Sequence, residues 1–328
     1  MKAWEHILEV LYDREEGFIG LEELARAAGE DRAAVDDALN RLRQDAQRLE
    51  FSPSQGVRLL RPIRLAAGLI ERDLPVRRVG RSVVCFDEVD STNDVALKAI
   101  RQDGADGLVV LAESQRRGRG RRGRRWISPP GQNVLLSALL TEPAAGGALR
   151  HDALTVAAGL AVAEAVEEAA QLTCDLKWPN DVLLGGAKVA GVLVETRREA
   201  ATLGVVVGVG LNVNAAPPPE AVDRPATCLA GHLSHPAERT EIVRSLLVRL
   251  DNWVHRIECG DVDELHRGFL ARCRMINERL TVLCEGRPYT GRVLDVDPLV
   301  GLILARDDGG TSRLPAESTT VVDDGPEP

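Results

Sequence analysis

Between Glu113 and Trp126 the chain reads ESQRRGRGRRGRRW, seven arginines with glycines at 118, 120 and 123. Glycine costs about 1 kcal/mol relative to alanine inside a helix, so this spacing rules out a stable one. Guanidinium groups cannot be buried without partners. The run must therefore be a loop, and its guanidinium groups are expected to project outward. Residues 107–113 and 133–141 on either side read as strands, so the loop is inserted within a folded domain rather than hung on a tail. Glycine also lets a backbone approach an anion closely, and arginine offers rigid forks for phosphate or carboxylate. Three readings fit: an RGG-like nucleic-acid patch, a solvated charge run, and a phosphate-cradling loop. The position inside a domain favours the cradle.

The pattern around the loop alternates strands with helices. Residues 83–89 read as a strand, 91–100 as a helix, and 153–170 as a long Ala/Val helix of the buried kind. Residues 183–196 and 203–213 read as strands around a turn at 197–202, followed by helices at about 239–258 and 261–273. One large sheet with covering helices is expected, and the pattern leaves the strand order open.

The texture differs at both ends. Ile7, Leu8, Val10 and Leu11 form a helical stripe, a second helix stops at Gly29, and a third starts at Asp31 with Val35, Leu39 and Leu42 inward. Residues 48–51 and 57–60 flank a Ser-Pro-Ser-Gln-Gly turn and read as a hairpin. Three helices and a hairpin suggest a winged helix-turn-helix; a plain three-helix packing module is the alternative. Residues 62–80 read as a connector helix and turn. From Asn277, short strands near 279–284, 291–296, 301–305, 312–315 and 319–322 suggest a small β-barrel, with 323–328 as a frayed tail. At 328 residues, two or three domains are natural. The expected fold class is α+β, with a winged helix-turn-helix over 1–65, a mixed-sheet domain over 80–275, and an SH3-like barrel over 277–323.

The net charge of −9 argues against a general nucleic-acid binder. No secretory signal or membrane-length apolar stretch is visible, so a cytoplasmic protein without a membrane partner is expected. The six cysteines, at 85, 174, 228, 259, 273 and 284, have no Cys-x-x-Cys pair; they read as buried reduced thiols, and no protein-held metal site is expected.

Three further motifs carry chemistry. Residues 177–181 read Lys-Trp-Pro-Asn-Asp, a turn signal that sets Asn180 and Asp181 at a strand's start. Lys188 follows a Gly-Gly turn on the next strand; an ordinary exposed lysine is the bland alternative. Asp90-Ser91-Thr92-Asn93 leads from a strand into a helix, where hydroxyl, amide and free N–H groups either cap the helix or bind a polar ligand. Gly208-Val-Gly-Leu-Asn212-Val-Asn214 is a weaker, Gly-spaced strand.

These segments together resemble the biotin–protein ligase family, along essentially the whole chain. The family's Gly-Arg-Gly-Arg-x-Gly-Arg loop stands at 118–124 before Trp126, its Lys-Trp-Pro-Asn-Asp at 177–181, its catalytic lysine strand as Lys188-Val-Ala-Gly-Val-Leu, and its Asp-Ser-Thr-Asn at 90–93. The resemblance implies a class II synthetase-like catalytic domain that activates biotin with ATP and magnesium and transfers it to a lysine of a carrier, such as the biotin carboxyl carrier protein of acetyl-CoA carboxylase. It implies that Ser91, Thr92, Asn93 and Gln115 line the biotin pocket. Arg119, Gly120 and Arg121 would fold over biotin and phosphate, and Lys188 would contact the biotin carboxylate and the α-phosphate, so that Lys188, Arg121 and Arg119 carry catalysis. Arg121, Arg124, Trp126, Asn180, Asp181 and Asn212 would belong to the nucleotide side.

The winged-helix architecture resembles members that also repress the biotin operon, which adds operator DNA, and a homodimer through the catalytic sheet, as partners. Arg32, Asn40 and Arg41 are the candidate DNA contacts. Asp36 and Asp37 share their face, and residues 1–61 carry nine Lys/Arg against thirteen Asp/Glu, so weak or absent operator binding is expected. Two rival readings remain: a lipoate- or octanoate-type ligase, and a ligand-sensing DNA-binding regulator without catalysis.

Overall fold

A computed structural model describes the chain except residues 1, 16, 145–148, 298–299, 317 and 323–328. The 323–328 tail thus lies outside the described residues. The first element group is α1 (Ala3–Asp13), α2 (Leu21–Ala28), α3 (Arg32–Gln44) and the antiparallel pair β1 (Leu49–Ser52) and β2 (Gly56–Leu59). Gly29 ends α2 in the left-handed region at φ 68°, and the Asp31 carboxylate accepts from the Ala34 N–H at 2.8 Å to cap α3. Ile7, Leu11, Leu24, Val35, Leu39, Leu42, Val57 and Leu59 close a separate small core. The connector holds only a five-residue helix, α4 (Ala67–Glu71).

The centre is a seven-stranded mixed sheet. In order across it run β3 (Ser82–Val89), β4 (Leu108–Gln115), β5 (Val134–Pro143), β9 (Thr202–Leu211), β8 (Ala187–Glu199), β7 (Asp181–Leu184) and β6 (Cys174–Lys177). Only β3 and β4 are parallel. Both faces are covered, which is why the strands read as continuous apolar runs. Val110, Leu139 and Val206 face α5 (Thr92–Lys98) and the single 3-10 turn after it. Their neighbours Val109, Leu111, Leu140, Val205 and Val207 face the opposite layer. That layer holds α6 (His151–Ala170), α7 (Arg239–Glu258) and α8 (Val262–Leu270).

The continuous strand expected over 183–196 is instead two strands. Gly185 and Gly186, at φ 59° and 81°, turn the chain back between β7 and β8. This is the Gly-Gly turn that the sequence marks before Lys188; the apolar residues on both sides of it are what extend the 183–196 reading across it. The edge strand β6 was not expected, and α8 is shorter than the 261–273 reading.

Five antiparallel strands end the chain, in the order β13 (Thr311–Leu314), β12 (Gly301–Arg306), β11 (Arg287–Asp297), β10 (Arg279–Cys284) and β14 (Thr319–Val322). Val282, Val293, Leu302, Leu304 and Leu314 join the same continuous core as the central sheet, which brings β14 against the mouth of the site described next.

Candidate active site

One cavity gathers most of the singled-out residues: Ser91, Thr92, Asn93, Gln115, Arg119, Gly120, Arg121, Arg124, Trp126, Asn180, Asp181 and Lys188. Its closed end is polar and buried. Ser91, Thr92 and Asn93, at the start of α5, are each no more than 5% exposed. Gln115 Oε1 accepts from the Thr92 N–H at 2.7 Å and from its hydroxyl at 3.1 Å. Ser137 Oγ lies 2.7 Å from Thr92 Oγ1 and 2.5 Å from Asn93 Oδ1, so its single proton serves one or the other. Ser137 was not singled out from the sequence; its signal was one hydroxyl within the apolar run VLLSALL.

The floor is flat because it is made of glycine. A Cβ at Gly208 would lie 2.4 Å from Asn93 Oδ1, and one at Gly210 would lie 2.3 Å from Trp126 Cε2. Gly191, paired with Gly210 on β8, clears the other edge of the same indole. The Gly-spaced strand is thus a bed for Asn93 and Trp126. The indole N–H of Trp126 is buried and has no partner among the described residues, a cost of about 1–3 kcal/mol unless a ligand acceptor meets it.

Lys188 stands over that indole, with Nζ 5.6 Å from the ring centroid and 2.6 Å from Asp181 Oδ1. A register shift between Val182 and Leu183 adds one residue to β8 beside it, the kind of bulge that re-aims a side chain. Its backbone is fastened on the other side, its N–H donating to Pro225 O and its carbonyl accepting from the Thr227 N–H, each at 2.9 Å. Lys188 is therefore a held ammonium, not a free surface lysine. Asn180 is locked to Val192 by side-chain and backbone bonds at 2.8 and 2.9 Å. Asn212 does not line the cavity: it is 1% exposed, and its Nδ2 donates to Thr227 O at 3.0 Å.

The arginine loop corrects the expectation that its guanidinium groups all point outward. Arg116, Arg117, Arg122, Arg124 and Arg125 are exposed, but Arg119 and Arg121 turn inward. Arg119 spans two carboxylates, 2.8 Å from both Asp94 Oδ2 and Glu195 Oε2. Arg121 donates to the carbonyls of Ala316 and Thr319, and Arg122 to that of Ser318, at the edge of β14. No carboxylate lies within ion-pair distance of Arg121 among the described residues. Burial pushes its pKa below the ordinary arginine value, and neighbouring Arg122 adds to the shift. A partly desolvated cation that no described carboxylate contacts directly is prepared for an anion. The cysteines also differ from their reading, since Cys259 is exposed and Cys85, Cys228 and Cys273 are half-buried.

A polar pocket, a stripped indole, a held ammonium and a desolvated guanidinium would suit an acid and a nucleotide side by side. Residues 85–212 match the Biotin/lipoate A/B protein ligase family. The bifunctional ligase/repressor BirA of Bacillus subtilis is 30% identical over 74% of this chain and 75% of its own length. The biotin–[acetyl-CoA-carboxylase] ligase of Paracoccus denitrificans is 34% identical over 69% of this chain and 95% of its own length. Among solved structures, the biotin protein ligase from Aquifex aeolicus in complex with biotin and ATP superposes with a TM-score of 0.63 at 26% identity, covering 73% of this chain and 98% of that one. By these likenesses the chain belongs to the biotin/lipoate A/B protein ligase family.

Proposed function

We propose that this chain is an ATP-dependent biotin–protein ligase that forms biotinyl-5'-AMP and transfers biotin to a lysine of a carrier protein, such as the biotin carboxyl carrier protein of acetyl-CoA carboxylase. The observation that carries this reading is that Lys188 and Arg121 line one cavity, between a hydrogen-bonding pocket and the Trp126 indole, whose N–H has no partner among the described residues. Ser91, Thr92, Asn93 and Gln115 suit a small polar head group at the closed end. Trp126, with Asn180 and Asp181 beside it, suits a nucleotide. Asn212, away from the cavity, would act by holding the 227 loop.

The chemistry follows from charge. A carboxylate oxygen attacks the α-phosphorus; the new C–O–P bond forms as the bond to the β-phosphate breaks, and pyrophosphate leaves. Both reactants are anionic and repel each other in a dry site, so cations must face the reacting oxygens. Lys188 and Arg121 would do so, with Arg124 at the mouth. Among the described residues Asp181 is the single carboxylate in the lining, which suits a magnesium ion held mainly by the triphosphate's own oxygens; the ion would neutralise further charge there. In the second step the uncharged amine of the carrier lysine attacks the acyl carbon, AMP leaves, and the amine gives up a proton. The anhydride hydrolyses if water enters, so a loop that covers the cavity protects it.

The decisive test is incubation with ATP, labelled biotin and a biotin-carboxyl-carrier domain, with lipoate and octanoate in parallel. Label transfer from biotin alone is expected. Transfer of lipoate or octanoate instead would favour that related activity, and ligand binding without transfer would favour a sensor. The N-terminal helices and hairpin support a winged-helix reading, and the last five strands an SH3-like barrel, within the 1–65, 80–275 and 277–323 division. Strand β3 leaves one edge of the sheet open with Phe86 40% exposed, which supports pairing of two copies there; sedimentation tests it. No helix among the described residues is long and apolar enough to cross a membrane.

A further inference from the structure

Arg119 and Arg121 are two residues apart in one loop, yet their surroundings are opposite. Arg121 has backbone carbonyls and, among the described residues, no carboxylate within ion-pair distance. Arg119 is already neutralised twice, by Asp94 at the start of α5 and by Glu195 on β8. The same Glu195 Oε2 also accepts from Asn93 Nδ2 at 2.6 Å, so one carboxylate holds both a pocket wall and the loop above it. Neither acid lines the cavity. Within the loop, the Gly120 N–H donates to Arg124 O at 2.7 Å and the Trp126 N–H to Gly118 O at 3.0 Å, making a compact flap whose inward anchors are Arg119 and Arg121. A guanidinium bound by two carboxylates at 2.8 Å would have to give up both before it could serve a phosphate.

We infer that Asp94 and Glu195 are positioning residues that latch the arginine loop over the cavity through Arg119, leaving Arg121 and Lys188 to meet the reacting anions. The inference rests on the proposed ligase reading and alters one part of it: Arg119 acts as a clasp, not as a phosphate clamp. The two carboxylates hold the Arg119 guanidinium well above its ordinary pKa, so the clasp stays charged across the range where the enzyme would work. Its work would be retention, keeping the water-sensitive adenylate enclosed until a carrier lysine arrives.

The test uses the full chain with Asp94→Asn and Glu195→Gln, each of which removes one charge and keeps the side-chain shape. Hydrogen exchange of the Gly120, Arg124 and Trp126 amides is measured without ligand. Exchange in each variant is expected to speed up by roughly tenfold, as for loss of one charge-assisted hydrogen bond. Combining Glu195→Gln with Arg119→Gln should add little to Arg119→Gln alone, because both break the same contact. In a second measurement, biotinyl-adenylate formed on the enzyme is chased, and its escape should quicken by a similar factor in both carboxylate variants while pyrophosphate release at saturating biotin and ATP stays near the wild-type rate. Unchanged exchange and unchanged escape in both variants would overturn the latch. So would collapse of pyrophosphate release in Asp94→Asn and Glu195→Gln with the adenylate still retained. If the wild-type chain releases no pyrophosphate from biotin and ATP, the ligase reading fails, and the ligand-free exchange still decides the latch.

Discussion

Lys188 and Trp126 show how single residues make this site. The indole needs space that only glycine leaves on β8 and β9, and the ammonium needs the bulge at Val189 and the Asp181 carboxylate to keep it over the ring. Replacing Lys188 with alanine should remove about 2.7–4 kcal/mol of transition-state stabilisation, the usual loss for one preorganised charge-facing group. Single-turnover formation of biotinyl-adenylate reads this, and a rate near wild type would refute the role. Gly210→Ala tests the bed beneath the indole. Its Cβ would meet Trp126 at 2.3 Å, so an overpacking cost of about 1–3 kcal/mol is expected. The variant should melt lower and bind ATP more weakly, while biotin binding, at the other end, is largely kept; unaltered melting and ATP binding would mean that the ring simply slides aside. Lys188, Thr92 and Asn93 could be found from sequence because each sits in a compact local motif. Ser137 and Glu195 could not, because a lone hydroxyl or carboxylate on a strand carries no local sign of its partner; Glu195 meets Asn93 across 102 positions.

At the scale of elements, a buried ion pair joins parts of the chain that no local pattern relates. Glu113, at the head of the arginine stretch on β4, takes a bidentate contact from Arg239 at the start of α7, at 2.6 and 3.1 Å. The same carboxylate accepts from the Leu65 N–H at 2.9 Å, and Arg239 donates to Ile63 O at 3.1 Å and Asn133 O at 3.2 Å. Connector, β4, β5 and α7 thus meet at one 2%-exposed guanidinium. Breaking such a pair leaves a buried charge, so Arg239→Ala should cost about 3–5 kcal/mol. Urea denaturation followed by circular dichroism measures it, and adding Glu113→Gln should recover much of the loss. A loss under about 1 kcal/mol would mean that water reaches Glu113 freely, as it reaches exposed pairs. From sequence, residue 239 is only the start of a helix and residue 113 the end of a strand beside the arginine loop, and nothing local relates the two. The β7–β8 hairpin is legible in part: the Gly-Gly pair before Lys188 marks its turn, but apolar residues continue across that turn, so periodicity alone joins 183–196 into one strand.

For the whole molecule, the open question is whether the N-terminal module reads DNA. Its third helix presents Arg32, Ala33, Asp36, Asp37 and Asn40 to solvent, the face a recognition helix would offer to the major groove. The structure adds what the sequence could only count. Arg32 is tied to Asp36 at 3.1 Å and reaches Glu22 at 3.4 Å, Arg41 pairs with Asp45 at 2.9 Å, and Arg58 on β2 pairs with Glu50 at 2.7 Å. Two of the three candidate DNA contacts, and Arg58 on the hairpin with them, already have acidic partners on the same surface. A phosphate would have to displace those partners while Asp37 repels it. Protein–DNA affinity comes largely from phosphate neutralisation and counterion release, and this module belongs to a chain with a net charge of −9. We therefore expect weak or absent operator binding from this three-helix and hairpin module. The measurement is a mobility shift at physiological salt, with biotinyl-adenylate present, on the chain's own promoter and on promoters of biotin-synthesis genes. The expected result is no sequence-specific complex at nanomolar protein. Asp36→Asn, which removes the nearer of Arg32's two acidic partners, should strengthen salt-sensitive binding to any duplex without creating preference for one. A specific nanomolar complex of the unaltered chain would mean that its carboxylates read bases, as an acid can by accepting from cytosine, and that repression accompanies ligation here.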